Sequence, residues 1–364
     1  MSEYPKKDKL CGSVPCLPRE GVRSLLSHQY HRIRRTWDFY QRDSRVPSDP
    51  RGHFNSPLPD ISEGQLFATA AFNNTPTDKI LGIDLRIDAQ QGLLSKMFDA
   101  YPEFDWSEHR IPGRRFHFAQ GWYAQADSIC LYSMLRLFRP RRVVEVGAGF
   151  TSALMLDVND RFLGQHTHLT FVDPYRDKLD LLVRCDDKRQ VRIIRERVQD
   201  ASERIFTDLE NGDFLFIDSS HVSKVGSDVN FLLFEVLPNL PIGVFVHFHD
   251  VFWPFEYPAK WIAERQSWNE AYLLRAFLAF NDSFKIVFWV PFAALRWSDT
   301  IKERMPAYLI DTGNLDSPHA LKNHSGVQIA PHPPPRARSK KVGGRLAEMD
   351  RGHGPGREKK ELRP

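Results

Sequence analysis

The sequence predicts an α/β protein with a mostly parallel sheet, and two observations carry that prediction. Five short apolar runs, Val143–Val146, Leu169–Val172, Val191–Ile194, Phe214–Ile217 and Val244–Phe248, are rich in β-branched and aromatic residues. Strands covered on both faces read as near-continuous apolar runs, because neither face meets water. Between the runs lie stretches long enough for crossover helices, among them Ser152–Phe162 and Asp228–Leu237. Parallel neighbours need crossovers of that length, so the alternation favours a parallel sheet.

The remaining elements follow in chain order. Residues 1–60 read as a polar, Pro-punctuated extension, with a short helix over Val22–Tyr40 and a loop over 43–60. Residues 61–120 read as a helical cap or lid. It comprises a helix over Ile61–Phe72, an outlying strand over Ile80–Ile87 and a helix over Gln91–Phe98. In Ala124–Phe138 the apolar positions Ala126, Ile129, Cys130, Met134, Leu137 and Phe138 recur at helical spacing. Pro140 stops that helix, since the residue before a proline is pushed out of the α region. Trp268–Phe280 reads as a further amphipathic helix and Lys285–Val290 as a further strand. The main domain is set at 121–325. Residues 330–364 are Pro-, Gly- and Lys/Arg-rich without apolar periodicity, and read as a disordered basic tail.

A chain of 364 residues with 41% hydrophobic content can bury a large core, which excludes wholesale disorder. Four cysteines are too few for a disulfide scaffold, and Cys11 and Cys16 have no second pair to complete a structural zinc site. No apolar run reaches 18 residues, which argues against a membrane span. No apolar stretch follows MSEYPKKDKL, so a secretory signal is not expected and the reading is cytoplasmic. The net charge of +4 is unevenly spread. Residues 331–364 hold ten basic and four acidic side chains, whereas residues 61–330 hold 29 basic against 35 acidic. The basicity lies in the ends, which disfavours a nucleic-acid groove in the folded body. Homo-oligomerisation is left open.

The chemistry-bearing signal begins where the first strand runs into Glu145-Val146-Gly147-Ala148-Gly149-Phe150-Thr151-Ser152. A Gly-rich turn between strand and helix lets backbone approach a ligand at a helix N-terminus. A dinucleotide fingerprint would want a third Gly or Ala where Ser152 stands. The second strand ends in Asp173, and a carboxylate there can accept both hydroxyls of a ribose. Ligands of open α/β sheets gather at the carboxyl ends of the strands. Asp218 and His221 follow the fourth run, and His249 and Asp250 end the fifth. Adjacent strands lie about 4.8 Å apart, so these four side chains can share one patch if the two strands are neighbours.

The stretch VVEVGAGFTSALM, with FIDSSH after the fourth run and VHFHD at the fifth, resembles the class I S-adenosylmethionine-dependent methyltransferases. The closest resemblance is to their small-molecule O-methyltransferases with a FIDSSH-type segment. It covers roughly residues 115–290. It implies a Rossmann-like seven-stranded, mostly parallel sheet with flanking helices and an N-terminal helical extension. It further implies S-adenosyl-L-methionine as cofactor. By this resemblance Glu145, Gly147 and Gly149 hold the amino-acid part and Asp173 the ribose. Gln199 and Asp200 lie near the adenine, and Asp218 and Tyr123 border the cofactor.

Two uses of the Asp/His patch stay open. Carboxylates with imidazole suit a divalent ion such as Mg2+, here on Asp218, His249 and Asp250. An ion lowers the pKa of a bound hydroxyl and orients it. Equally, a histidine can take the proton directly. His221, Asp218, His249 and Asp250 are thus the candidate catalytic residues. The magnesium-binding relatives carry an Asp-Asn or Asp-Asp pair after strand five, whereas this chain has His249-Asp250-Val251. The segment after Asp250 is aromatic, with Phe252, Trp253, Phe255, Tyr257, Trp261 and Trp268, and reads either as a substrate wall or as core. Glu256, Asn269 and Glu270 stand where polar substrate contacts could arise. The expected acceptor is a hydroxyl oxygen of a small molecule. The rival readings are an NAD-linked oxidoreductase and a binding protein that keeps the fold without the chemistry.

Overall fold

The computed structural model describes residues 49–332, apart from 121, 176–178, 185–186, 188–189 and 313–325. The expected helix over Val22–Tyr40, the Cys11/Cys16 pair and the basic tail beyond residue 332 lie outside the described residues. Two helices come first, α1 (Ile61–Asn74) and α2 (Ile87–Ala100), followed by α3 (Gln125–Phe138). The sheet region then alternates: β1 (Arg142–Val146), α4 (Phe150–Phe162), β2 (His168–Val172), α5 (Leu179–Leu182), β3 (Val191–Ile194), α6 (Arg204–Thr207), β4 (Phe214–Ile217), α7 (Asp228–Phe231) and β5 (Phe245–Phe248). After it come α8 (Ala259–Ala263), α9 (Glu270–Leu278), β6 (Phe284–Trp289), α10 (Val290–Arg296), α11 (Ser298–Arg304) and β7 (Val327–Pro331).

The strands form one seven-stranded sheet in the order β3-β2-β1-β4-β5-β7-β6. β3, β2, β1, β4 and β5 pair parallel, and β7 pairs antiparallel with both β5 and β6. β4 and β5 are therefore neighbours, with Ile217 opposite Phe248. That register brings the residues following each strand to one end of the sheet.

Both faces of the sheet are buried, and the side-chain alternation of a strand sorts them. Val144, Val146, Leu215 and Ile217 pack in one core layer, with Leu274 of α9 and the helical stretch after Asp228. Val143, Phe214 and Phe216 pack in the other, with α3 and α4. This two-sided burial is why the strands read as continuous apolar runs. Among the described residues no helix is long and apolar enough to cross a membrane.

Two expectations need correction. Ile80–Ile87 is not a strand: Ile80 and Ile83 make one isolated bridge across a turn, and α2 begins at Ile87. Its alternation reflects separate anchoring of Ile80 and Leu85 in the core rather than sheet pairing. The seventh strand, Val327–Pro331, takes in Ala330 and Pro331, which composition places in the tail. A five-residue strand inserted between two others has its register set by its neighbours, so its own sequence signal is weak.

The segment between α2 and α3 is pinned across α4 by a buried ion cluster. The Arg115 guanidinium reaches Asp157 at 3.1 Å, Asp160 at 2.6 Å and Asp187 at 2.6 Å. The backbone amides of Arg115 and Phe116 and the indole of Trp106 also donate to the Asp157 carboxylate. Burial disfavours the charge on Arg115, but Asp160 and Asp187 outweigh it and raise its pKa.

Candidate functional site

The turn after β1 is built for close backbone contact. Gly147 has φ +85°, and a Cβ there would lie 1.8 Å from the Asp218 carbonyl oxygen. Its amide donates to Val172 O at 3.0 Å, and the Asp218 amide donates to Val146 O at 2.9 Å. Glycine is thus required both by the backbone conformation and by the approach of the β4 end. The Ala148 amide donates to one Asp173 oxygen at 3.0 Å, and the Tyr175 amide to the other at 2.6 Å. Asp173 therefore stands beside the Gly-rich turn, fixed by backbone donors. The Gly149 amide donates to Ser152 Oγ at 3.0 Å.

Glu145 is fully buried, and its two oxygens accept from the Thr151 and Ser152 hydroxyls. Burial pushes its pKa up to about 8, opposed by those two hydroxyls and reinforced by the charges of Asp218 and Asp173. It shapes the start of α4 from beneath the turn. Gln199 and Asp200 sit on a short turn after β3, farther from the Asp/His patch. Asp200 makes a two-point pair with Arg197 at 2.6 and 2.9 Å, and Gln199 donates to Gly226 O at 2.9 Å. Tyr123 is buried, donates to Asp127 O at 3.1 Å, and its ring centroid lies 5.3 Å from that of His249. Burial, with Asp127 and other acids nearby, raises the Tyr123 pKa well above its ordinary value.

The ends of β4 and β5 meet at His221. Its Nε2 lies 3.3 Å from Asp218 Oδ1 and 3.7 Å from Asp250 Oδ2, and its Nδ1 lies 2.8 Å from Glu270 Oε2. His221 and Glu270 are buried, while the Asp218 side chain is one-third exposed. The imidazole is thus bonded at Nδ1 to a buried acid and turns Nε2 toward the partly exposed Asp218. Burial disfavours its charge, but the hydrogen bonds to Asp218 and Glu270 and the charge of Asp250 outweigh that and hold its pKa well above the ordinary range. For Asp218, burial raises the pKa, yet the charges of His249 and His221 bring it below the usual carboxylate value.

Both His221 (φ +58°) and Asp250 (φ +55°) adopt the left-handed backbone region. Non-glycine residues occupy it at a cost of order 1–3 kcal/mol, sustained only where surroundings over-determine it. Here they do. Asp228, at the start of α7, accepts from the Ser220 amide at 2.8 Å and its hydroxyl at 2.5 Å. Asp228 therefore organises the Asp218–His221 loop as well as starting a helix.

Asp218, His221 and Asp250 each offer one ligand atom, all within 4.8 Å of one another. Two carboxylate oxygens and one imidazole nitrogen suit a divalent ion. The Glu270 carboxylate on the far ring nitrogen is the support a metal-bound histidine usually has. These residues therefore fit such an ion. The sequence reading put His249 in this role, whereas the structure brings His221 into the group. His249 Nε2 is 3.7 Å from Asp250 Oδ1, and its ring packs near Tyr123 and Phe216. Burial works against its charge, but Asp250, Asp218 and Asp127 raise its pKa. His247 stacks on Phe216 at 4.2 Å with its Nδ1 2.7 Å from Gln328 Nε2, and burial and His249 lower its pKa well below the ordinary value. It belongs to the core.

The aromatic stretch after β5 divides. Phe252, Trp253 and Phe255 are core, with Phe255 4.4 Å from Trp289. Trp268 alone among those residues lies on the imidazole, its ring 4.3 Å from His221. Sequence reasoning placed Glu270 as a polar substrate contact and missed its bond to His221. Their separation of 49 positions leaves no local pattern that could reveal it.

The fold and site define a Rossmann-like α/β chain with an acidic, histidine-bearing cluster at the strand ends. A family model described as a methyltransferase domain matches residues 144–251, from β1 to just past β5. An uncharacterised protein of Archaeoglobus fulgidus is 31% identical over 168 residues, 44% of this chain and 73% of the relative. Among solved structures, the S-adenosylhomocysteine-bound methyltransferase PaMTH1 of Podospora anserina is 15% identical, with a TM-score of 0.36, covering 80% of this chain and 99% of that one. A CmcI structure described with Mg and S-adenosylmethionine is 18% identical, with a TM-score of 0.30. The match covers 44% of this chain and spans 63% of the CmcI chain. At these levels the solved structures bear on neither substrate nor mechanism. The chain belongs to the class I S-adenosylmethionine-dependent methyltransferase family.

Proposed function

We propose that this protein transfers a methyl group from S-adenosylmethionine to a hydroxyl oxygen of a small molecule. The observation that carries the proposal is His221, held by Glu270 and facing Asp218 and Asp250 beside the Gly-rich turn. The cofactor's amino-acid part is assigned to the turn at Gly147 and Gly149, above the buried Glu145. Asp173 is assigned to the ribose hydroxyls, and Gln199 and Asp200 to the adenine edge. The Asp218 carboxylate beside the turn favours a cofactor that carries a sulfonium and an ammonium over the pyrophosphate of NAD, whereas Asp173 suits the ribose of either.

In the reaction the acceptor oxygen attacks the methyl carbon in line, and the carbon–sulfur bond breaks to leave the neutral thioether. Holding the two reactants in line supplies much of the rate. The hydroxyl proton passes to His221 Nε2. The resulting imidazolium is stabilised by the carboxylates of Glu270, Asp218 and Asp250. A second reading rests on the Asp218–His221–Asp250 group. A divalent ion held there would lower the hydroxyl pKa and orient the acceptor. Both readings use the same His221 nitrogen, so they exclude one another, and the metal dependence of the rate separates them.

Calorimetry with S-adenosylhomocysteine, with NADH in parallel, tests the cofactor. Transfer of labelled methyl to a panel of hydroxylated small molecules, with and without chelator, tests the reaction. Micromolar binding of S-adenosylhomocysteine without NADH binding, and chelator-resistant transfer, is the expected result. Binding of NADH alone would overturn the proposal, and chelator-sensitive transfer would select the second reading.

A further inference from the structure

We propose that Glu270 is the positioning residue that fixes which nitrogen of His221 faces Asp218 and Asp250. The inference rests on the role given to His221 above. Glu270 is 1% exposed and opens α9. Its Oε2 lies 2.8 Å from His221 Nδ1, while its Oε1 accepts from the Ser219 hydroxyl at 3.2 Å. With both oxygens engaged, the carboxylate does not rotate freely.

The start of α9 holds the same loop through its backbone. The amides of Asn269 and Glu270 donate to the His221 carbonyl at 3.0 and 3.2 Å. The Asn269 side chain accepts from the Ser223 amide at 2.6 Å and donates to the Ser223 carbonyl at 3.3 Å. Trp268 covers one face of the imidazole. One helix start therefore fixes the position, plane and left-handed backbone of His221.

An ionised carboxylate only accepts hydrogen bonds. Glu270 and Asp218 thus compete for the single proton of a neutral His221 ring. The contact to Glu270 is shorter, 2.8 against 3.3 Å, and more buried. A charged hydrogen bond strengthens as it shortens and as water is excluded. The proton therefore stays on Nδ1, and Nε2 presents its lone pair on the side of Asp218 and Asp250. That is the tautomer needed by a base, and equally by a ligand for an ion.

The test is nitrogen NMR of histidine-labelled full-length protein, at a pH where the ring is neutral, with His221 assigned by a His221→Asn variant. The wild type is expected to show the Nδ1–H tautomer. In Glu270→Gln the amide can offer its own donor to Nδ1, and the ring is expected to shift toward the Nε2–H tautomer. Methyl transfer then falls about 10–100-fold in kcat, the usual loss for such supporting residues. KM for S-adenosylmethionine stays within about twofold. Glu270→Asp keeps an acceptor and is expected to restore part of the wild-type tautomer. If Glu270→Gln does not fold, Ser219→Ala frees Oε1, and a split or shifted His221 signal is expected there. An unchanged His221 tautomer in the folded variant overturns the inference. The NMR arm needs neither cofactor nor acceptor, so its outcome is independent of whether S-adenosylhomocysteine binds.

Discussion

At His221, three carboxylates surround one imidazole, two at Nε2 and one at Nδ1. Replacing it by Asn keeps a polar side chain but removes the proposed base. Transfer is expected to fall about 10²–10⁴-fold, the usual contribution of a positioned acid or base. S-adenosylhomocysteine affinity, read by calorimetry, should change little, which separates chemistry from binding. Gly147 makes a different prediction. Alanine there meets the Asp218 carbonyl at 1.8 Å and must hold φ +85°. The β1 and β4 ends must separate, so Gly147→Ala is expected to lower the melting temperature sharply and abolish cofactor binding. Glu145 supplies a pH dependence. Burial raises its folded pKa to about 8, against about 4.5 in the unfolded chain. The folded state then keeps a proton that the unfolded state releases, so this group's contribution falls as pH rises from about 4.5 to 8. Glu145→Gln cannot titrate. The stability advantage of wild type over this variant should shrink across that window, by at most about 1.4 kcal/mol per pH unit, in denaturant melts at stepped pH.

At the scale of elements, α9 and the 105–117 segment do opposite jobs. α9 organises the candidate site through its first residues, while 105–117 ties the N-terminal helices to α4. The Arg115 cluster is the clearest test of the second job. Removing Asp157 leaves a buried guanidinium with fewer partners and strips the acceptor from two amides and an indole. Breaking a buried pair costs about 3–5 kcal/mol, so Asp157→Ala should lose that much in urea unfolding. Isolated surface pairs such as Lys260–Glu264 should change stability by less than about 1 kcal/mol.

At the scale of the whole molecule, β7 closes the sheet. It lies between β5 and β6 and satisfies the hydrogen-bonding edges of both. Its Val327 and Ile329 are fully buried in the core layer behind the site. Deleting residues 326–332 would expose two strand edges and that core surface. Such a variant is expected to show no cooperative thermal transition by circular dichroism, even though every candidate site residue remains.

The sequence by itself determined the parallel core of the sheet, the Gly-rich turn, Asp173, and the pair of strand ends that carry Asp218, His221, His249 and Asp250. Those features are legible because they are local. A strand buried on both faces is a continuous apolar run, a turn at positive φ selects glycine, and an acid at a strand end keeps a fixed offset from it. Tertiary structure alone decided the rest. It put His221 rather than His249 into the close group with Asp218 and Asp250, seated His247 in the core, inserted β7 between β5 and β6, and brought Glu270 to the imidazole across 49 residues. The physical reason is the same in each case. Which side chains meet between neighbouring strands and the helix packed over them depends on register, backbone turn and packing across the fold, and none of these leaves a periodic mark in the chain.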